Sequence, residues 1–241
     1  MIRKHRFTGG RGEFEVNPAE EKISLASSAL LADGGPRNLF LELPKNAKLN
    51  DAWSDALNAQ MDYPSCLGEN EGYAITAYTS DECFEEFNAD TRSHVTNLMT
   101  GGAMEFHAMA YRWKGLYHLL RNGLKNLNSS TPIDAYRGMD FNPAEKLKKK
   151  DALYFKQFTS TTTNKSTAAK FGKILFAIKT YRSAPIDSLS FFSGEDEVLI
   201  PPNEIFVITD ISETPRLTYT LISVDDPMVP NLYQKVADEH L

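Results

Sequence analysis

Three short runs in the second half of the chain carry residue types from which a reaction site is built: Tyr136-Arg137-Gly138, Phe158-Thr159-Ser160-Thr161-Thr162-Thr163 and Ser193-Gly194-Glu195-Asp196-Glu197. An arginine at a strand end can fork onto a pyrophosphate, and the glycine after it lets a ligand come close to the backbone. A run of hydroxyls on a strand offers neutral donors and acceptors on both faces. Positions i and i+2 of a strand share a face, so Glu195 and Glu197 are expected to project into one site. Two neighbouring carboxylates repel each other, and proteins accept that repulsion for a metal or for chemistry. Each run alone also has an ordinary reading. Arg137 would serve in a surface ion pair, the threonines in strand propensity, and the glutamates in a solvated acidic turn.

These runs need strands to carry them. From Pro132 onward β-type runs cover Ile133–Arg137, Tyr154–Thr161, Ile174–Thr180, Glu197–Ile200, Glu204–Ile211 and Leu217–Val224, separated by turn signals. A short helix over Lys165–Phe171, closed by Gly172, fits between the second and third runs. The first half reads as helical. Asn17-Pro18-Ala19-Glu20 opens a helix that Asp33-Gly34-Gly35-Pro36 ends. Others cover Asn50–Met61, Glu71–Tyr78 and Ser80–His94, and the longest runs from Ala103 to Leu127. Along it Phe106, Met109, Ala110, Trp113, Leu116, Tyr117 and Leu120 recur at steps of three and four, a core-packing stripe. The pattern predicts an α+β fold, with a mainly helical part over residues 1–130 and a β-rich part over 131–241 in one integrated domain.

The 241 residues and 41% hydrophobic content suit one domain with a helical subdomain. A net charge of −6 argues against a nucleic-acid partner, which needs clustered cations. The one basic run, Lys146 with Lys148, Lys149 and Lys150, reads as a solvated loop between strands. No apolar stretch approaches the roughly 18 residues of a membrane span. Met1 to Arg11 holds basic residues without the apolar run of a secretory leader, and no C-terminal apolar tail suggests a lipid anchor. A leader removed earlier would leave the same picture, so the location stays open between extracellular and cytoplasmic. Cys66 and Cys83 allow one disulfide or two ordinary thiols, and neither belongs to a zinc pattern.

Taken together and in this order, the three runs resemble the Arg–Ser–Glu signature of ADP-ribosyltransferases that share a cholera-toxin-like NAD fold. The similarity is greatest to the arginine-specific ecto-ADP-ribosyltransferases of animals. Tyr-Arg-Gly matches the Arg element, Phe-Thr-Ser-Thr the Ser element and Glu195-Asp196-Glu197 the Glu-x-Glu element. The continuation from Glu197 to Phe206, with Ala77-Tyr78-Thr79-Ser80, Glu86-Phe87-Asn88, Phe171-Gly172 and Ala184-Pro185-Ile186, extends the similarity from about Glu71 to Ile211.

The resemblance implies a helical N-terminal part packed on a two-sheet, sandwich-like NAD-binding core, with NAD as substrate between facing sheets and no metal. It implies that Arg137 holds the NAD phosphates, that the Gly138 backbone meets the nicotinamide amide, and that Ser160 supports the nicotinamide pocket and orients the catalytic glutamate. Phe171 matches the aromatic that stacks on nicotinamide; it also reads as a core residue closing a helix. Glu197 matches the catalytic glutamate, and Glu195 the residue that sets the acceptor. Relatives with glutamine in place of Glu195 act on other acceptors, so glutamate points to arginine, in proteins or in small guanidines. Where secreted vertebrate relatives tend to carry a disulfide cysteine, this chain has Tyr181. Three other readings stay open: NAD hydrolysis with water as acceptor, a toxin or effector with the same chemistry, and a non-catalytic module that binds NAD or ADP-ribose. The division of labour predicts that Glu195→Gln abolishes transfer to arginine while some NAD hydrolysis persists, and that Glu197→Gln depresses both. Parallel assays of guanidine modification and nicotinamide release check it, and equal loss of both activities in Glu195→Gln would refute it.

Overall fold

Two periodicities divide the chain, one of two residues and one of 3.6, and they build an α+β architecture. The computed structural model describes residues 8–17, 36–81, 83–99, 111–141, 147–202, 204–227 and 229. In chain order the elements are β1 (Thr8–Gly9), β2 (Phe14–Val16), α1 (Pro36–Glu42), α2 (Ala47–Asn58), α3 (Glu69–Thr79), α4 (Phe84–Met99) and α5 (Lys114–Leu127). There follow β3 (Ile133–Met139), β4 (Ala152–Phe155), β5 (Thr159–Thr162), α6 (Lys165–Ala168), β6 (Ile174–Thr180), β7 (Ala184–Pro185), β8 (Glu197–Ile200), β9 (Ile205–Ser212) and β10 (Thr218–Ser223). One compact unit is drawn from Met1–Pro18, Ser129–Ser183 and Glu195–Leu241, the other from Ala19–Asn128 and Ala184–Gly194. Residues 8–16 supply strands to the β unit, and residues 184–194 group with the helices.

In the strand unit the hydrogen-bonded order is β2-β4-β9-β10-β6-β3-β5-β8, with β1 parallel beside β3. Where a two-sheet core is expected, the strands run in one hydrogen-bonded path. Tyr136 of β3 pairs with Thr162 of β5 and joins the two groups of strands into one continuous ladder. Alternation explains the core: Ile174, Phe176 and Ile178 point one way along β6 and meet Phe14, Met139, Phe155, Phe206 and Tyr219. Phe176 sits among four edge-on or tilted aromatic partners, with centroids 5.8 Å from Phe14, 6.2 Å from Phe141, 6.4 Å from Phe155 and 5.9 Å from Tyr219. The run expected as one strand over Tyr154–Thr161 is two strands. Just past β4 the Lys156 N–H still donates to the Glu13 carbonyl at 2.9 Å, one step beyond the last β2–β4 pair.

The corner after β6 is held by a buried carboxylate. Glu204 accepts from the Thr180 hydroxyl at 2.6 Å and from the Tyr181 and Arg182 N–H groups at 2.6 and 3.3 Å. Burial pushes its pKa up. Cys66 and Cys83 are not joined in a disulfide, and the Cys83 thiol donates to the Ala77 carbonyl at 3.2 Å.

The helical unit is fastened at its helix ends. The Asn46 side chain caps α2 through the Leu49 N–H at 3.2 Å, and the Glu71 carboxylate reaches back to the Gly68 N–H at 2.9 Å before α3. The long helix expected from Ala103 starts, within the described residues, at Lys114. Just before it, Tyr111 and Trp113 bond to α4, from the Tyr111 hydroxyl to Thr91 at 2.7 Å and from the Trp113 indole to Asp90 at 2.9 Å. Residues 100–110, and the helix expected after Asn17, lie outside the described residues. Gly115 is required by packing, since a Cβ there would overlap the Leu39 backbone of α1. Among the described residues no helix is long and apolar enough to cross a membrane.

At the start of α5, both Glu42 carboxylate oxygens accept from the Gly115 N–H, at 3.1 and 3.0 Å. Burial outweighs these bonds and raises the Glu42 pKa from 4.5 to about 7. A raised carboxyl pKa contributes stability that is complete below 4.5 and is lost as pH rises through about 7. The melting temperature should therefore fall by a few degrees over that interval in the native protein, relative to Glu42→Gln. Thermal melts of the two proteins across the interval check this, and parallel curves would refute it.

Candidate active site

The site residues hang on three strands of one unit. Arg137 and Gly138 end β3, Ser160 lies in β5, and Glu197 opens β8. The β5–β8 register sets Ser160 opposite Leu199 and Thr162 opposite Glu197. Directly opposed residues of an antiparallel pair share a face, so Ser160, Thr162 and Glu197 lie on the same side. All are buried: Ser160 is 4% exposed, Thr162 and Glu197 0%.

Glu195 reaches this seam differently from expected. Strand β8 begins only at Glu197, and Asp196 takes a left-handed backbone with φ 53°. Simple strand alternation therefore does not relate the two glutamates. Threonines of β5 tie the segment down instead. The Thr162 hydroxyl donates to the Glu195 carbonyl at 2.8 Å and accepts from the Asn164 N–H at 3.0 Å, and the Thr163 N–H donates to the Asp196 carbonyl at 3.1 Å. Thr161 donates to the Val198 carbonyl at 2.7 Å. Glu195 is left 8% exposed, so two carboxylates are held largely out of water. Desolvation is costly for both, a cost met with at functional sites.

Arg137 lies opposite Phe176 and two residues from Met139, both core members, so its side chain leaves β3 on the core face. The guanidinium is 2% exposed. Its Nη1 donates to the Ser160 carbonyl at 2.5 Å, and its Nη2 to the Glu13 carboxylate at 2.9 Å. Arg137 and Ser160 are thus brought together through the Ser160 backbone.

Gly138 has a packing reason that the sequence did not reveal. A Cβ there would overlap the Phe171 carbonyl oxygen and stand 2.9 Å from the Ala168 carbonyl oxygen. Helix α6, capped by the Asn164 side chain on the Thr167 N–H at 3.1 Å, thereby lays its last turn directly on β3. Phe171 follows that turn, its N–H bonded to the Ala168 carbonyl at 3.0 Å and its side chain 6% exposed. Gly172 continues with φ 70°, where a Cβ would overlap the Met139 carbonyl.

Two contributors were missed. Thr162 looked like one hydroxyl among several, and only the register singles it out. Glu13 is 124 residues from Arg137, and no local pattern points to it. No cluster of three or more metal-ligating side chains occurs among the described residues.

The profile of the family described as NAD:arginine ADP-ribosyltransferase matches residues 26–226. The chain belongs to that family. The resemblance read from the Arg, Ser and Glu elements is thereby borne out. Similar curated relatives include NAD(P)(+)--arginine ADP-ribosyltransferase 2 of Gallus gallus, 34% identical over 155 residues, covering 61% of this chain and 46% of that protein. Ecto-ADP-ribosyltransferase 5 of Mus musculus is 29% identical over 187 residues, covering 71% of this chain and 59% of that protein. The chain thus spans about half the length of the curated relatives it matches. Among solved structures, a mutant of the eukaryotic mono-ADP-ribosyltransferase ART2.2 in complex with NAD superposes with a TM-score of 0.60. It is 23% identical and covers 90% of this chain and 94% of that one, which shows that this ADP-ribosyltransferase family member has the same fold.

The overlap at Gly138 has a direct consequence. Gly138→Ala should lower stability by about 1–3 kcal/mol, because backbone rather than a flexible side chain must give way. Denaturant titration measures this, and an unchanged midpoint would show that the space is not needed.

Proposed function

We propose that this chain is a mono-ADP-ribosyltransferase that moves ADP-ribose from NAD to arginine side chains of proteins and releases nicotinamide. The observation that carries the reading is that a member of this family brings Ser160, Glu195 and Glu197 to one β5–β8 seam, with Arg137 bonded to the Ser160 backbone. NAD lies along that seam. Arg137 supplies positive charge for the pyrophosphate, Gly138 and Phe171 border the nicotinamide, and Ser160 orients Glu197.

Cleavage breaks the bond between the ribose anomeric carbon and the nicotinamide nitrogen. The electron pair goes to the ring, quenches its positive charge, and lets it leave neutral. Positive charge builds on the sugar, and Glu197, bonded to a ribose hydroxyl, stabilises it more in the transition state than in the ground state. The acceptor guanidinium is a poor nucleophile until it loses a proton. Glu195 holds it by paired hydrogen bonds and takes that proton as the new carbon–nitrogen bond forms. Small guanidines fit the same chemistry as protein arginine. The name of the mouse relative favours the extracellular of the two locations left open.

Incubation with NAD, with and without agmatine, and mass spectrometry of the products tests this directly. An ADP-ribosyl-agmatine adduct is expected. Nicotinamide and free ADP-ribose without adduct would make the chain an NAD glycohydrolase, and no turnover would leave a binding module.

A further inference from the structure

The β3–β5 junction on which Ser160 depends has little backbone pairing: among the described residues the register links only Tyr136 with Thr162. Arg137 crosses this seam and bonds the Ser160 carbonyl at 2.5 Å. A long side chain can do so reproducibly only if its far end is fixed, because each free rotamer costs order.

The far end is fixed by the N-terminal segment. Glu13 Oε2 accepts from Arg137 Nη2 at 2.9 Å, with Arg137 2% and Glu13 17% exposed. The Glu13 backbone is itself held on both sides. Its N–H donates to the Gly10 carbonyl and its carbonyl accepts from the Lys156 N–H, at 3.1 and 2.9 Å. Gly9 is shaped to this pair, for a Cβ there would overlap Glu13 Oε2 and stand 2.9 Å from Arg137 Nε. The strand β1 that carries Gly9 pairs with Gly138 and Met139 of β3.

We infer that Glu13 is a positioning residue of this enzyme: it fixes the Arg137 guanidinium so that Arg137 splints Ser160 and β5 to β3 and keeps the nicotinamide end of the site in register. The inference rests on the functional reading above. Glu13 acts through Arg137 and not on the reacting atoms in this reading. A carboxylate suits the task because the buried guanidinium needs a counter-charge as well as an acceptor, and glutamine would keep only the acceptor.

The test compares wild type, Glu13→Gln and Gly9→Ala. The last variant crowds the ion pair while keeping both charges. Amide exchange of residues 157–163 should quicken in both variants. The KM for NAD should rise about tenfold, equivalent to a modest loss of binding, with the KM for agmatine unchanged and kcat within about twofold. A lowered melting temperature with an unchanged KM for NAD would mean that Glu13 serves stability alone and would overturn the inference, as would wild-type exchange in both variants. If wild type itself neither binds nor splits NAD, the functional reading fails, and with it the assignment to catalysis. The exchange data then still report on the splint separately.

Discussion

The constraint from which this site follows is the narrow junction between β3 and β5. Backbone pairing there contracts to Tyr136 and Thr162, yet the two strands carry Arg137 and Ser160. Side chains take over where the backbone ladder gives out. Arg137 reaches the Ser160 carbonyl across this junction, while on the other side of β5 the Thr161 and Thr162 hydroxyls bond the Val198 and Glu195 carbonyls beside β8. Such buried polar contacts rigidify when fully satisfied and are costly when broken. The threonine run thus has a role beyond strand propensity.

The surroundings follow from keeping that seam in place. The aromatic cluster around Phe176 fixes β3 from below, because Arg137 and Phe176 are register partners on the core face. Above β3, the missing side chain of Gly138 admits the α6 turn, and the left-handed Gly172 turns the chain into β6. At the far end of β6, Glu204 gathers the Thr180 hydroxyl and two backbone N–H groups at the corner. A buried carboxylate with several donors fastens a corner without any covalent bond.

In the helical unit, α3 is tied to the segment that leads into Glu195. The Thr76 hydroxyl donates to the Leu189 carbonyl at 3.0 Å, and the Thr79 hydroxyl accepts from the Phe191 N–H at 3.1 Å. The Asp187 carboxylate takes the Gly194 N–H at 2.9 Å. Along the chain Glu195 is therefore reached through a loop anchored at both of its turns.

The sequence by itself determined the strand bounds at Ile174–Thr180 and Glu197–Ile200, the α+β class and the family. Those are local properties: alternation needs only neighbours, and a motif is a short string. Tertiary structure decided the rest. It joined β3 to β5 in one ladder, placed Asp196 in a left-handed turn that removes simple alternation between the glutamates, and brought Glu13 to Arg137 across 124 residues. It also bonded the Tyr111 and Trp113 side chains to α4, just ahead of the helix that starts at Lys114. Hydrogen bonds between residues distant in sequence leave no periodic trace, so only the folded chain reveals which hydroxyl, carboxylate or glycine the site depends on.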